Sequence, residues 1–116
     1  MIRNKQIKPL LPTLREKKRY LVYEVIGKQV SASDAYKAIR KATTEFLGTI
    51  GAAGLGLIPI NKYQNNKGTI RLNHQYVNHV RAALLFITSI NNHPVTVRSI
   101  GASGILKKAE KKYLEA

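Results

Sequence analysis

The 116-residue sequence contains no cysteine. A disulfide framework is therefore excluded, and so is any zinc site built on thiolates. Acidic residues are scarce, six Asp and Glu in all. They are scattered, with no Asp-x-Asp or paired-carboxylate motif of the kind that holds metal ions for hydrolysis. Long apolar runs are missing too. The longest, Ala82 to Ile87, is far too short to cross a bilayer. The opening "MIRNKQIKPLLPTL" carries basic side chains but no continuous apolar stretch, so a secretory leader is not expected. These absences fit an intracellular chain, and a cytoplasmic location is the expectation.

Positive charge is what abounds. Twenty Lys and Arg leave a net charge of +14, where a small soluble domain manages with about 2 to 8. Such a domain repels itself, and a polyanion relieves the repulsion. Nucleic acid is the leading candidate, because phosphate contacts release condensed counterions; an anionic membrane is the alternative. The length suits one domain that buries roughly two-thirds of its unfolded surface.

Residues 1–14 contain Pro9 and Pro12 and little periodicity, which predicts an extended arm ahead of a single domain over residues 15–116. "YLVYEVI", residues 20–26, predicts a strand. Leu21, Tyr23 and Val25 fall on one of its faces, Tyr20, Val22 and Ile26 on the other, so both faces need a cover. A helix follows, capped by Ser31 or Ser33, with Ala35, Ile39, Ala42, Phe46 and Ile50 as its buried stripe and Lys37, Arg40 and Lys41 toward solvent. "LGLIPINKY" predicts an edge strand, "NNKG" a hairpin turn, and "TIRLN" the returning strand with Arg71 on the face opposite Ile70 and Leu72. Asn73 is placed to cap a second helix from His74 to Ile90, buried through Val77, Val80, Leu84 and Ile87. "NNHP" ends that helix, "VTVRSI" forms a last strand, and "ILKKAEKKYLEA" a closing helix. The order predicts an α+β protein: a ferredoxin-like (RRM-like) β-α-β-β-α-β antiparallel sheet with an added C-terminal basic helix.

Catalytic chemistry finds little support. Gly48, Gly51, Gly54 and Gly56 follow a helix and lead into a strand, the reverse of a dinucleotide fingerprint, and no Gly-Lys-Ser/Thr is present. They suit a flexible helix terminus. His74 and His79 are five apart and do not share a helix face as an i, i+4 metal pair would, and His93 falls in a predicted turn. No catalytic residue, metal ligand or cofactor-binding residue is therefore assigned.

The basic constellations are more informative. On an ideal helix Lys107, Lys108, Lys111 and Lys112 fall within an arc of roughly 140°, opposite Leu106, Ala109 and Tyr113. Arg15, Lys17, Lys18 and Arg19 form a second run, and Arg98 in the last strand extends the set. "KGTIRLN" offers Ile70 and Leu72 where RNA-recognition modules place stacking aromatics, so phosphate contacts fit better than base stacking on the sheet.

Two stretches resemble a known family. "LPTLREKKRYLVYEVI" is similar to the N-terminus of the archaeal ribonuclease P protein component 2 family, and "VRSIGASGILKKAEKKYL" to its closing segment. "YVNHVRAALLFI" and "TEFLGTIGAAGL" are similar to its second helix and the end of its first. The resemblance implies a subunit of the ribonucleoprotein that removes the 5′ leader of precursor tRNA. In that family the RNA subunit supplies catalysis together with its magnesium ions. The implied partners are ribonuclease P RNA, protein component 3 and other holoenzyme proteins, with precursor tRNA contacted indirectly and a capacity to self-associate; no membrane is implied. Carried over by position, the RNA-contacting set is Arg15, Lys17, Lys18, Arg19, Arg98, Lys107, Lys108, Lys111 and Lys112, with Gly101, Ser103 and Gly104 shaping the turn. The alternative is a ribosomal or general structured-RNA-binding protein. The rival from another class is a protein nuclease using His74 or His79.

Overall fold

The computed structural model describes residues 17–115. The predicted arm and Arg15 lie outside them. Strand β1 (Lys18–Gly27) leads to α1 (Ala32–Ala53), the hairpin β2 (Ile58–Gln64) and β3 (Lys67–Asn73), a 3-10 turn (His74–Tyr76) and α2 (Val77–Leu84). A short β4 (Ser89–Ile90), a long β5 (His93–Ser103) and a closing helix follow. The sheet order is β2-β3-β1-β5-β4, antiparallel at every pairing. Without the small β4 this is the ferredoxin-like arrangement that the element order predicts.

β1 is central, and both of its faces are covered as far as Val25, whereas Ile26, expected on the second face, is exposed. Leu21, Tyr23 and Val25 join the main core with α1, α2, Ile70, Leu72 and Val97. Val22 points the other way, into a small cluster with Ala109 and Leu114 of the closing helix, flanked by Tyr20, Ile100 and Tyr113. Burial on both faces is what removes polar alternation from the strand. A bulge opens between Val22 and Tyr23, which oppose Gly101 and Ser99 and leave Ile100 as the extra residue.

Local chemistry fixes the connections. Ser31 caps α1, its Oγ accepting the Asp34 N–H at 3.1 Å. Asn65 and Asn66 both have positive φ, 53° and 59°, the backbone of a two-residue type I′ hairpin. Asn66 then clamps the loop before α1: its Oδ1 accepts the Val30 N–H and its Nδ2 donates to the Lys28 carbonyl.

Four expectations are corrected. The buried stripe of α1 stops at Thr43, and Phe46 and Ile50 are exposed. Gly48 sits at φ 77°, ψ 167°, so the helix kinks there and the turns beyond it, Ile50 included, lose the phase that the stripe requires; Phe46 is exposed ahead of the kink. The second helix ends at Leu84 rather than Ile90. Asn91 and Asn92 (φ 53° and 65°) form a second tight hairpin turn, which draws Ser89 and Ile90 into strand pairing with β5. His93 therefore opens β5 instead of lying in a turn. Asn73 makes no capping bond; its side chain is turned to the Gly54 carbonyl, 2.6 Å away, and to the Lys18 ammonium.

Candidate nucleic-acid interface

The β1–β5 register sets the geometry of the basic residues. Tyr20 lies opposite Ser103, so the start of β1 runs beside the turn that launches the closing helix. Ser103 shapes that turn, its Oγ accepting the Ile105 N–H at 3.1 Å. The Arg19 guanidinium reaches over the turn, where a Cβ on Gly104 would come within 3.2 Å of its Nη1. The same Nη1 donates to the Lys18 carbonyl at 3.1 Å. Arg19 and the turn that launches the second basic run, more than eighty residues apart in sequence, thus meet at one end of the sheet.

The closing helix begins as α3 (Leu106–Ala109) and widens into a π turn (Glu110–Leu114). The widening has a packing cause. Ala109 and Leu114 are five apart, a step that stays on one face of a π turn, and both are buried against Val22. The Glu115 N–H donates to the Glu110 carbonyl at 2.8 Å, closing the wide turn. Lys107, Lys108, Lys111 and Lys112 are left exposed, with the Lys112 ammonium 5.6 Å from the Tyr113 ring centroid. The acidic side is tied down elsewhere. Glu115 pairs with Lys62 of β2, and this hydrogen bond raises the Lys62 pKa.

Gly101 is not part of the turn. It lies within β5, and the Tyr113 ring rests on its backbone so closely that any Cβ there would collide with the ring. Only glycine lets the closing helix seat at this height, so Gly101 is an anchor for the helix rather than a hinge.

Not every predicted cation joins the group. Lys17 is exposed at its edge, whereas the Lys18 ammonium is engaged by Asn73. Arg98 lies five residues along β5 from Ser103, about 16 Å away at strand rise. Its Nε and Nη2 both donate to Glu24 Oε1, at 3.0 and 2.9 Å. Glu24 is its register partner on β1, so this guanidinium is already charge-paired. Conversely, Arg71 of β3 faces the closing-helix side opposite Tyr20, and its buried Nε has no hydrogen-bond partner among the described residues. The Ile70/Leu72 alternation in the sequence locates Arg71 on that face, but the unpartnered Nε is visible only in three dimensions.

Among the described residues no three His, Cys, Asp or Glu gather to hold a metal ion, and no helix is long and apolar enough to cross a membrane. Fold and surface together define a class: a ferredoxin-like α+β domain whose second sheet face carries a docked lysine-rich helix.

Comparison with known proteins narrows the class. Residues 19–114 match the model of the Rpp14/Pop5 family, and the chain belongs to that family. A protein of Methanosarcina mazei named ribonuclease P protein component 2 is 36% identical over 110 residues, covering 94% of each chain. A Pyrococcus abyssi protein of the same name is 36% identical over 112 residues, again covering 94% of each. Among solved structures, a chain of the yeast ribonuclease MRP complex superposes with a TM-score of 0.54 at 15% identity, covering 87% of this chain and 94% of that one. That last likeness concerns the fold.

Proposed function

We propose that this chain is a protein subunit of ribonuclease P, the ribonucleoprotein that removes the 5′ leader from precursor tRNA. The observation that carries the reading is the 36% identity to proteins of that name across nearly the full length of both chains. The chemistry of the surface agrees with a supporting role. Lys107, Lys108, Lys111 and Lys112, with Lys17 and Arg19 beside them, offer ammonium and guanidinium groups to phosphates where RNA helices crowd together. In this reading Arg15, outside the described residues, is a further phosphate contact by resemblance, and Arg98 is a weaker contact because Glu24 already holds it.

The RNA subunit supplies the catalytic centre and its magnesium ions, and the protein lowers the magnesium needed to hold the RNA fold. Protein component 3 is the protein partner, and the cytoplasm the place of action. Reconstituted cleavage of precursor tRNA tests this. The chain together with component 3 is expected to raise cleavage by ribonuclease P RNA at low magnesium, and the Lys107, Lys108, Lys111, Lys112→Glu variant to lose the effect. No stimulation by the native chain, or full stimulation by the variant, overturns the reading.

A further inference from the structure

The chain has only two phenylalanines. Both lie on the surface, far apart in sequence but with ring centroids 5.5 Å apart and planes inclined by 34°. Phe46 is 43% exposed and Phe86 68%, with Ile50 and Leu85 more exposed still. Aromatic rings are the most favourable side chains to bury, so two that meet in solvent mark a surface with an occupant. Phe46 comes from the last stretch of α1 before the Gly48 kink, Phe86 from the turn after α2.

Chemistry narrows what that occupant is. A groove of about 340 Å³ lined by Ala42, Glu45, Phe46 and Phe86 adjoins one of about 470 Å³ lined by Lys37, Arg40, Lys41, Thr44 and Glu45. Lys37, Arg40 and Lys41 stand at i, i+3 and i+4 on α1, all exposed, about one helical turn before the rings. Cations along α1 and, a turn further on, two aromatic rings are the two components of single-strand recognition: phosphates track the charges and bases stack on the rings. An apolar protein surface would cover the rings but would have to supply acids opposite the ridge. Glu45, the one carboxylate of these grooves, lines both of them, between the cations and the rings along α1. There it can accept hydrogen bonds from base N–H groups while repelling phosphate toward the lysines.

We infer that the groove between α1 and the turn after α2 binds unpaired RNA nucleotides, with bases stacked on Phe46 and Phe86 and phosphates on Lys37, Arg40 and Lys41. The inference rests on the RNA-binding reading above and adds a second surface, on the helix layer, opposite the lysine-rich closing helix. The sheet itself lacks stacking aromatics in β3; the helix layer carries them instead.

Two probes separate the failure of this inference from failure of the reading beneath it: a roughly ten-nucleotide oligouridylate, matched to single-strand site sizes, and a short RNA duplex. The native chain is expected to bind both. Phe46→Leu with Phe86→Leu keeps the apolar contact but removes the π faces. It is expected to weaken oligouridylate binding about tenfold and to leave duplex binding unchanged. Lys37→Gln, Arg40→Gln and Lys41→Gln together should lower the log–log salt slope for the oligonucleotide by about two. Ultraviolet crosslinking followed by peptide mass spectrometry should place uridine on Phe46 or Phe86. Unchanged oligouridylate affinity in the leucine variant, or crosslinks confined to the closing helix, overturns the inference. So does loss of chain self-association in that variant with RNA binding intact, which would make the patch a protein interface. Duplex binding without oligonucleotide binding ends this inference alone; binding of neither ends the RNA reading too.

Discussion

On one face of the sheet sixteen buried residues from β1, β3, β4, β5, α1, α2 and the loops form a continuous core. On the other, Val22, Ala109 and Leu114 are the buried members of a cluster completed by Tyr20, Ile100 and Tyr113. The difference assigns separate tasks to the two faces. The large cluster holds the fold, because hydrophobic stabilisation grows with the apolar area removed from water. The small one holds a cationic helix in place, and losing it leaves the first intact. The faces therefore respond differently to substitution. The largest effect should come from the main core: Leu21→Ala, fully buried in the central strand, is expected to cost about 3 kcal/mol. Urea unfolding measures it, and a loss as small as that of a surface change would mean that the two faces are not unequal.

The second prediction attacks the small cluster without touching the first. Gly101→Val forces a side chain into the Tyr113 ring and should unseat the closing helix, at a cost of about 1–3 kcal/mol. RNA binding should fall sharply while the ferredoxin-like sheet remains folded by circular dichroism. Pairing Gly101→Ala with Tyr113→Ala should cost less than the two singly, because removing the ring removes the collision. Strict additivity would deny the contact.

The double cover of the central strand is legible in the amino-acid sequence. "YLVYEVI" has apolar residues on each side, and a strand so composed must be covered twice. The hairpin at Asn65–Asn66 is equally plain. Other features are hidden for identifiable reasons. The apolar spacing of Val80, Leu84 and Ile87 continues past the helix end, because a turn and a short strand can bury the same residues that a helix would. Asn91–Asn92 repeats the chemistry of Asn65–Asn66, but its partner strand is two residues long and leaves almost no alternation to read. The helical stripe loses its phase at Ile50 through one positive φ at Gly48, and a glycine's identity does not announce which conformation it adopts. The exposed lysines of the closing helix are evident from periodicity. The Arg98–Glu24 pair is not, since it joins positions 74 apart.

A smaller effect appears only in alkali and probes how tightly the main core closes around its one fully enclosed tyrosine, Tyr23. Burial pushes the Tyr23 hydroxyl well above its ordinary value of 10.0, so the neutral form is favoured in the folded state. The unfolded chain releases this proton near pH 10 and the folded chain only at higher pH. The contribution of the group to stability is therefore whole below pH 10 and is lost as pH rises through the folded-state value. Tyr23→Phe should flatten the decline of stability above pH 10. An identical alkaline profile would place the phenol in water and weaken the picture of a closed main core.

The smallest effect lies at the border between the two faces' tasks, where Arg98 and Glu24 sit on the closing-helix side but beyond the helix. Their ion pair is largely exposed on the arginine side, so breaking it should cost less than about 0.5 kcal/mol. Its consequence for RNA is distinctive in sign. Arg98→Gln removes a guanidinium that Glu24 already neutralises, so affinity should fall less than with Lys107→Gln, whose ammonium is exposed. Glu24→Gln removes the neutralising carboxylate and should strengthen RNA binding, by about two- to threefold at low salt, with a steeper salt dependence. Titrating the three variants against one structured RNA at several salt concentrations compares them directly. If Glu24→Gln weakened binding, the pair would be positioning the arginine for RNA rather than withholding it, and the basic surface would extend well along β5 from the end of the sheet.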